Sequence, residues 1–155
     1  MKKYPLFVAF LAVASVTCSS CFKSEGPKTT VTYNSPFTMQ ATVDGNIVDF
    51  PTVSTIQSGT NFIIEGVSGT PHVATYPYLM IYINNWNRLP GTFTFDSLGF
   101  TTYAQYYVNS SNVAMSKTGS VEITSVTATF IAGVFSFKCD NGTVISKGSF
   151  KARPM

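Results

Sequence analysis

From Phe37 onward the apolar positions recur at every second residue. Phe37, Met39, Ala41 and Val43 alternate with Thr38, Gln40 and Thr42. Successive side chains of an extended chain point to opposite faces, so this spacing predicts a half-buried strand. Asp44-Gly45-Asn46 follows, and these residue types tolerate the positive φ of a tight hairpin turn. Residues 47–50 are the expected return strand, limited by Pro51. Residues 53–56 and 61–67 read as a further pair around Ser58-Gly59-Thr60, before a loop at residues 68–71.

Residues 78–84 form the most apolar predicted strand. Leu79, Ile81 and Ile83 share one face; Tyr76, Tyr78, Met80, Tyr82, Asn84 and Trp86 share the other if the strand extends that far. Strands are expected at 92–95 and 102–108, and residues 109–116 read as a polar loop. Residues 119–124 alternate again, with Val121 and Ile123 inward. Ala128 and Phe130 are expected to continue a strand, and Gly133 to mark a bulge or tight bend. Residues 134–138 place Phe135 and Phe137 on one face. Asp140-Asn141-Gly142 is a second hairpin turn, and residues 143–152 form the last strand. No amphipathic helix of about ten residues is legible. About nine or ten short strands joined by Gly, Asn and Pro turns predict an all-β fold. An antiparallel β-sandwich is the expected form, with a small lipocalin-like or streptavidin-like β-barrel as the alternative.

The N-terminus breaks this pattern. Lys2 and Lys3 precede an apolar run over residues 6–16, interrupted only by Ser15; Ser19 and Ser20 then lead to Cys21. A basic start, an apolar stretch and small residues before a cysteine make a signal-peptide plan. Cys21 is the expected lipidated first residue of the mature chain. Cys18, preceded by Thr17, is the competing site; Ser20 before Cys21 fits the small-residue requirement better. Each acyl methylene buried in a bilayer contributes about 0.8 kcal/mol, and two or more chains anchor stably where one does not. The chain then divides into a signal peptide at 1–20, a flexible tether at 21–36 and a β-domain at 37–152. The tether spans roughly 20–25 Å as a coil and about 50 Å when stretched.

Composition narrows the possibilities further. The 155 residues carry a formal charge of +3, and charged residues are only 11% of the chain. Lys2 and Lys3 account for most of that excess. No cluster of Lys and Arg is present to neutralise phosphates, so no nucleic-acid partner is expected. Beyond residue 21 no apolar run reaches the length of about 18 that a spanning helix needs.

Candidate chemistry is sparse. His72 is the only histidine, beside Pro71 in a predicted loop, where a solvated residue is expected rather than a catalytic base. Asp44 and Asp140 sit at turns, where an Asp side chain bonds its own backbone. The remaining acids are scattered, and no zinc or calcium pattern is present. No metal, cofactor or catalytic residue is therefore assigned, and an enzyme is not expected. With Cys18 removed and Cys21 lipidated, Cys139 is a lone thiol, expected buried and inert; an unlipidated Cys21 could instead pair with it. The aromatic row is the main binding candidate. Tyr78, Tyr82 and Trp86 on one face could stack on sugar rings, with Tyr103, Tyr106 and Tyr107 adding to them. The competing expectation is that the row is core.

The segments PFTMQATVDGNIVDF, LPGTFTFD, GSVEITSVTATFIAGVFSFKC and GTVISKGSFKA resemble uncharacterised β-rich envelope lipoproteins of Bacteroidota. The resemblance covers most of residues 37–152, though Val134 stands where the family pattern has Thr. It implies an envelope lipoprotein of β-sandwich type and brings no catalytic residues. Asp96-Ser97-Leu98 is similar to the three-residue O-glycosylation motif of that phylum's envelope proteins, which makes Ser97 a candidate acceptor. Together these readings predict a membrane-anchored envelope lipoprotein with a non-catalytic β-domain that binds a glycan or a protein partner. The alternative is a structural or assembly lipoprotein with no small ligand. The expected location is the outer membrane, on its periplasmic or cell-surface side.

Overall fold

The structure, a computed structural model, describes residues 36–69 and 75–155. His72, Cys21, the expected signal peptide and all of the expected tether except Pro36 lie outside the described residues. Ten strands follow one another: β1 Thr38–Val43, β2 Asn46–Phe50, β3 Thr52–Ser58, β4 Asn61–Val67, β5 Tyr78–Ile83, β6 Gly91–Thr94, β7 Thr102–Asn109, β8 Asn112–Val126, β9 Ile131–Cys139 and β10 Val144–Ala152. No helix occurs among the described residues. The strands pair antiparallel in the order β2-β1-β10-β9-β8-β7-β5-β4-β3, with β6 added on β8. This nearly closed arrangement is the all-β architecture expected, intermediate between a sandwich and a barrel.

Two sheets share β8. Its first residues pair with β7, and the stretch from Ser116 to Val126 pairs with β9. The register against β9 shifts between Ser116 and Thr118, and such a bulge bends and twists a strand. Gly119 follows with φ +128°, and a Cβ there would stand 2.2 Å from the Ser136 carbonyl oxygen. Only glycine fits, so this residue lets β8 turn from one sheet into the other. The chain also crosses between sheets at Pro51, between β2 and β3. There the missing N–H of proline disturbs no ladder. β3 then lies near the end of β10, where Thr55 Oγ1 donates to the Arg153 carbonyl at 2.8 Å.

The inner faces meet in one apolar core. Leu79, Ile81 and Ile83 are fully buried, opposite Val121, Ile123, Ile145 and Phe50. Phe95 packs edge-on to Phe137 at 5.3 Å, and Phe135 lies near Phe137 and Phe150. Burying each such side chain contributes about 1.5–3 kcal/mol. Side chains thus occupy the space between the sheets.

Three sequence expectations are corrected. Residues 109–116 are not a loop: β7 and β8 form a tight hairpin, and Ala114 and Ser116 point inward. Small and polar residues hide the alternation there. Buried Ser116 is satisfied because its Oγ accepts the Ala104 N–H at 2.8 Å. Ala128 and Phe130 belong to a turn rather than a strand. Thr127 Oγ1 accepts the N–H groups of Thr129 and Phe130, which curls the backbone. Gly133 lies inside the regular β9, and the extra residue falls on β8, where Thr124 is skipped between Ile123 and Ser125. Gly133 instead permits a close approach, since a Cβ would meet Glu122 O at 2.3 Å and the Phe150 ring at 2.6 Å.

Gly119→Ala should destabilise the domain by about 1–3 kcal/mol through overpacking at the corner. Gly45→Ala, where nothing lies within 4 Å, should suffer only from its positive φ. Urea unfolding compares the two; equal midpoints would refute the role given to Gly119.

Candidate functional site

The alternation that buries Leu79, Ile81 and Ile83 turns Tyr78, Met80 and Tyr82 outward from β5. The antiparallel register then sets partners beside them. Across to β7, Tyr82 faces Tyr103, Met80 faces Gln105 and Tyr78 faces Tyr107. Across to β4, Tyr82 faces Ile63 and Met80 faces Glu65. Ile56 and Met115 extend the same outer face onto β3 and β8. All these side chains are half-buried.

The tyrosines pack on one another. Tyr82 and Tyr103 stack with centroids 4.9 Å apart and planes at 22°. Tyr78 and Tyr107 are 5.1 Å apart and tilted by 57°. Cross-strand aromatic pairs contribute about 0.2–1 kcal/mol each. Polar groups are also paired within the face. Tyr78 OH donates to Glu65 Oε1 at 2.9 Å, and Ser54 Oγ donates to Glu65 Oε2 at 3.0 Å. Tyr107 OH donates to Gln105 Oε1 at 2.8 Å. Burial raises the Tyr78 phenol, and the hydrogen bond to the Glu65 carboxylate raises it further. Burial likewise raises Tyr103 and Tyr107, so these hydroxyls stay protonated near neutrality.

Trp86 parts from this row. β5 ends at Ile83, and Asn85 adopts φ 55°. The turn is tied by Asn84 N donating to Thr101 O and Trp86 N donating to Thr60 O. The indole swings inward, where it is 3% exposed and stacks on Phe62 at 4.2 Å. Its Nε1 donates to the Leu89 carbonyl at 3.0 Å, which satisfies the one polar atom taken into the core. Even spacing would keep Trp86 with Tyr82 only on a continuous strand, and the Asn84-Asn85 turn ends that strand. Tyr106 is likewise inward, at 6% exposure. Its even number against Tyr103 and Tyr107 was the available signal, because alternation puts it on the other face.

Ser97 lies exposed in the loop between β6 and β7. Asp96 holds that loop by accepting the N–H groups of Leu98 at 2.9 Å and Phe100 at 3.2 Å. These backbone bonds, Leu98 first, keep its carboxyl below the ordinary aspartate range. Cys139 is buried, as expected, and burial pushes its thiol up to about 11 with help from Asp140 and Asp44. Among the described residues no three His, Cys, Asp or Glu side chains converge to hold a metal. The class defined by fold and surface is thus an all-β, two-sheet domain with a tyrosine-paired outer face. Compared with known proteins, the chain matches no family model, no curated protein and no solved structure.

Trp86→Ala should cost about 3–5 kcal/mol of stability by emptying a core site. Tyr82→Ala should cost no more than about 1 kcal/mol. Chemical denaturation checks both, and near-equal losses would contradict the split between core and face. Cys139 should resist a thiol reagent at pH 8, where a pKa of about 11 leaves little thiolate. It should react promptly once the chain is unfolded in urea.

Proposed function

We propose that this chain is an envelope lipoprotein, anchored through Cys21, whose non-catalytic β-domain docks a partner protein on its tyrosine face. The lipoprotein part rests on the N-terminal pattern and on the resemblance to Bacteroidota envelope lipoproteins. The docking part rests on one observation: Tyr78, Tyr82, Tyr103 and Tyr107 form two cross-strand pairs on a single sheet face.

Sugar-binding platforms leave a ring face open for the sugar. Here Tyr82 and Tyr103 stack and cover part of each other's faces, and the tilted pair Tyr78 and Tyr107 donate their hydroxyl protons within the sheet. What remains is a sheet surface rich in Tyr, Met and Ile, whose one carboxylate, Glu65, accepts from Tyr78 and Ser54. Enrichment in Tyr and Met with depletion of charge is the composition of protein-interface cores. Tyrosines already packed lose little further freedom on docking. A membrane anchor confines the domain near other envelope proteins and raises their effective concentration.

Three measurements test this reading. A Cys21→Ser variant should leave the membrane fraction, and the intact mass of the native protein should match a lipidated N-terminus at Cys21. The same spectrum reads Ser97, because a modified loop adds hexose-sized increments. A photo-crosslinker at Tyr82 in the native envelope should give one discrete adduct, and a crosslinker at Ile47 on β2 should not. Tyr103→Asp should weaken that adduct at least fivefold, the effect of losing an interface-core contact of about 1 kcal/mol. A saturable glycan ligand sensitive to Tyr82→Ala would favour the glycan reading instead. Absence of both would leave the structural or assembly role.

A further inference from the structure

The opposite sheet carries a surface of another kind. Its register sets Thr92, Glu122, Val134 and Ser149 side by side across β6, β8, β9 and β10. The next row holds Thr94, Ser120 and Ser136. Opposite Ser136 the pairing of β10 slips, since Ile145 faces Phe137 and Gly148 faces Phe135, so Ser146 and Lys147 crowd one partner. Lys147 sits in this bulge with φ 51°, a left-handed backbone that residues other than glycine rarely adopt. Bulges re-aim side chains. Gly148 completes the site, because a Cβ there would lie 2.3 Å from the Phe135 ring. Phe135 fills that space and underlies the groove.

The result is an open groove of about 420 Å³, lined by Thr92, Ser120, Glu122, Ser136, Lys147 and Ser149 around Val134 and Phe135. That volume falls within the range of small-ligand sites. Among the described residues, none of these six polar side chains makes a hydrogen bond to protein, in contrast to the tyrosine face. Four hydroxyls, one carboxylate and one ammonium therefore stand free around a recess with an apolar floor.

We propose that this groove binds an acidic saccharide. Lys147 pairs with one carboxylate of the ligand. Glu122 accepts hydrogen bonds from sugar hydroxyls. Thr92, Ser120, Ser136 and Ser149 both donate and accept, which suits a ligand whose hydroxyls do the same. Val134, 44% exposed, offers an apolar contact for the C–H face of a ring. Three strand spacings separate β6 from β10, about 14 Å, which is room for a short oligosaccharide. A metal ion would want more carboxylates. The site is distinct from the tyrosine face and does not depend on the lipid anchor.

Calorimetry on the full chain, with digalacturonate as probe and neutral galactobiose as control, tests the proposal. Saturable binding of digalacturonate, weaker at high salt, is expected. Lys147→Gln should weaken it about tenfold or more, as loss of a charge-assisted bond does, and bring it near the neutral sugar. Lys147→Gly removes the ammonium and relieves the backbone, so a similar loss there excludes misfolding as the cause. No saturable binding of digalacturonate, preference for galactobiose, or binding lost with Tyr82→Ala but kept with Lys147→Gln would each overturn the proposal.

Discussion

One strand holds the architecture together. β8 contributes its first residues to one sheet and the rest to the other, so both sheets hang from a single bent element. The bend needs an extra residue near Lys117 and a glycine at 119, where the backbone of β9 leaves no room for a Cβ. A straight β8 would extend one flat sheet and leave its apolar face in water. Folding it at the corner lets the inner faces cover each other, and that burial is the main favourable term for a domain without disulfides among its described residues.

The same corner produces two outer faces with opposite polar bookkeeping. On the sheet of β3, β4, β5 and β7, tyrosines pack in two cross-strand pairs, and the Tyr78 and Tyr107 hydroxyls donate to Glu65 and Gln105. On the sheet of β6, β9 and β10, a bulge lifts Lys147 beside hydroxyls and Glu122, which keep their hydrogen-bonding capacity. An aromatic surface whose rings pack on one another suits a broad, dry contact. An unsatisfied polar groove suits a ligand with many hydroxyls. The fold thus separates two surface chemistries that composition alone would blend into one Thr-, Ser- and Tyr-rich surface.

Most strands were legible because one face of each is buried, and burial enforces alternation at every second residue. The signal weakened where inward positions are small or polar. Ala114 and Ser116 carry little hydropathy, so the start of β8 read as loop. It misled where a turn interrupts an even spacing, as at Asn84-Asn85, which sends Trp86 to the core. Gly133 lies opposite a bulge whose extra residue falls on β8, and a close approach also selects glycine there. Tyr78 and Tyr82 were identifiable from β5 alone. Their partners Tyr103 and Tyr107 became a site only through the β5–β7 register.

Strand periods, the principal turns and the inward faces of β5 and β9 follow from the local order of residues. Each is local, set by neighbouring residues and by the two-residue period of an extended chain. Which strands pair, where β8 bends, the stacking of Trp86 on Phe62, and the gathering of Lys147, Glu122 and three serines around one groove all come from long-range packing. Those outcomes depend on the register between segments distant in sequence. A shift of one residue would send every side chain of a strand to its other face.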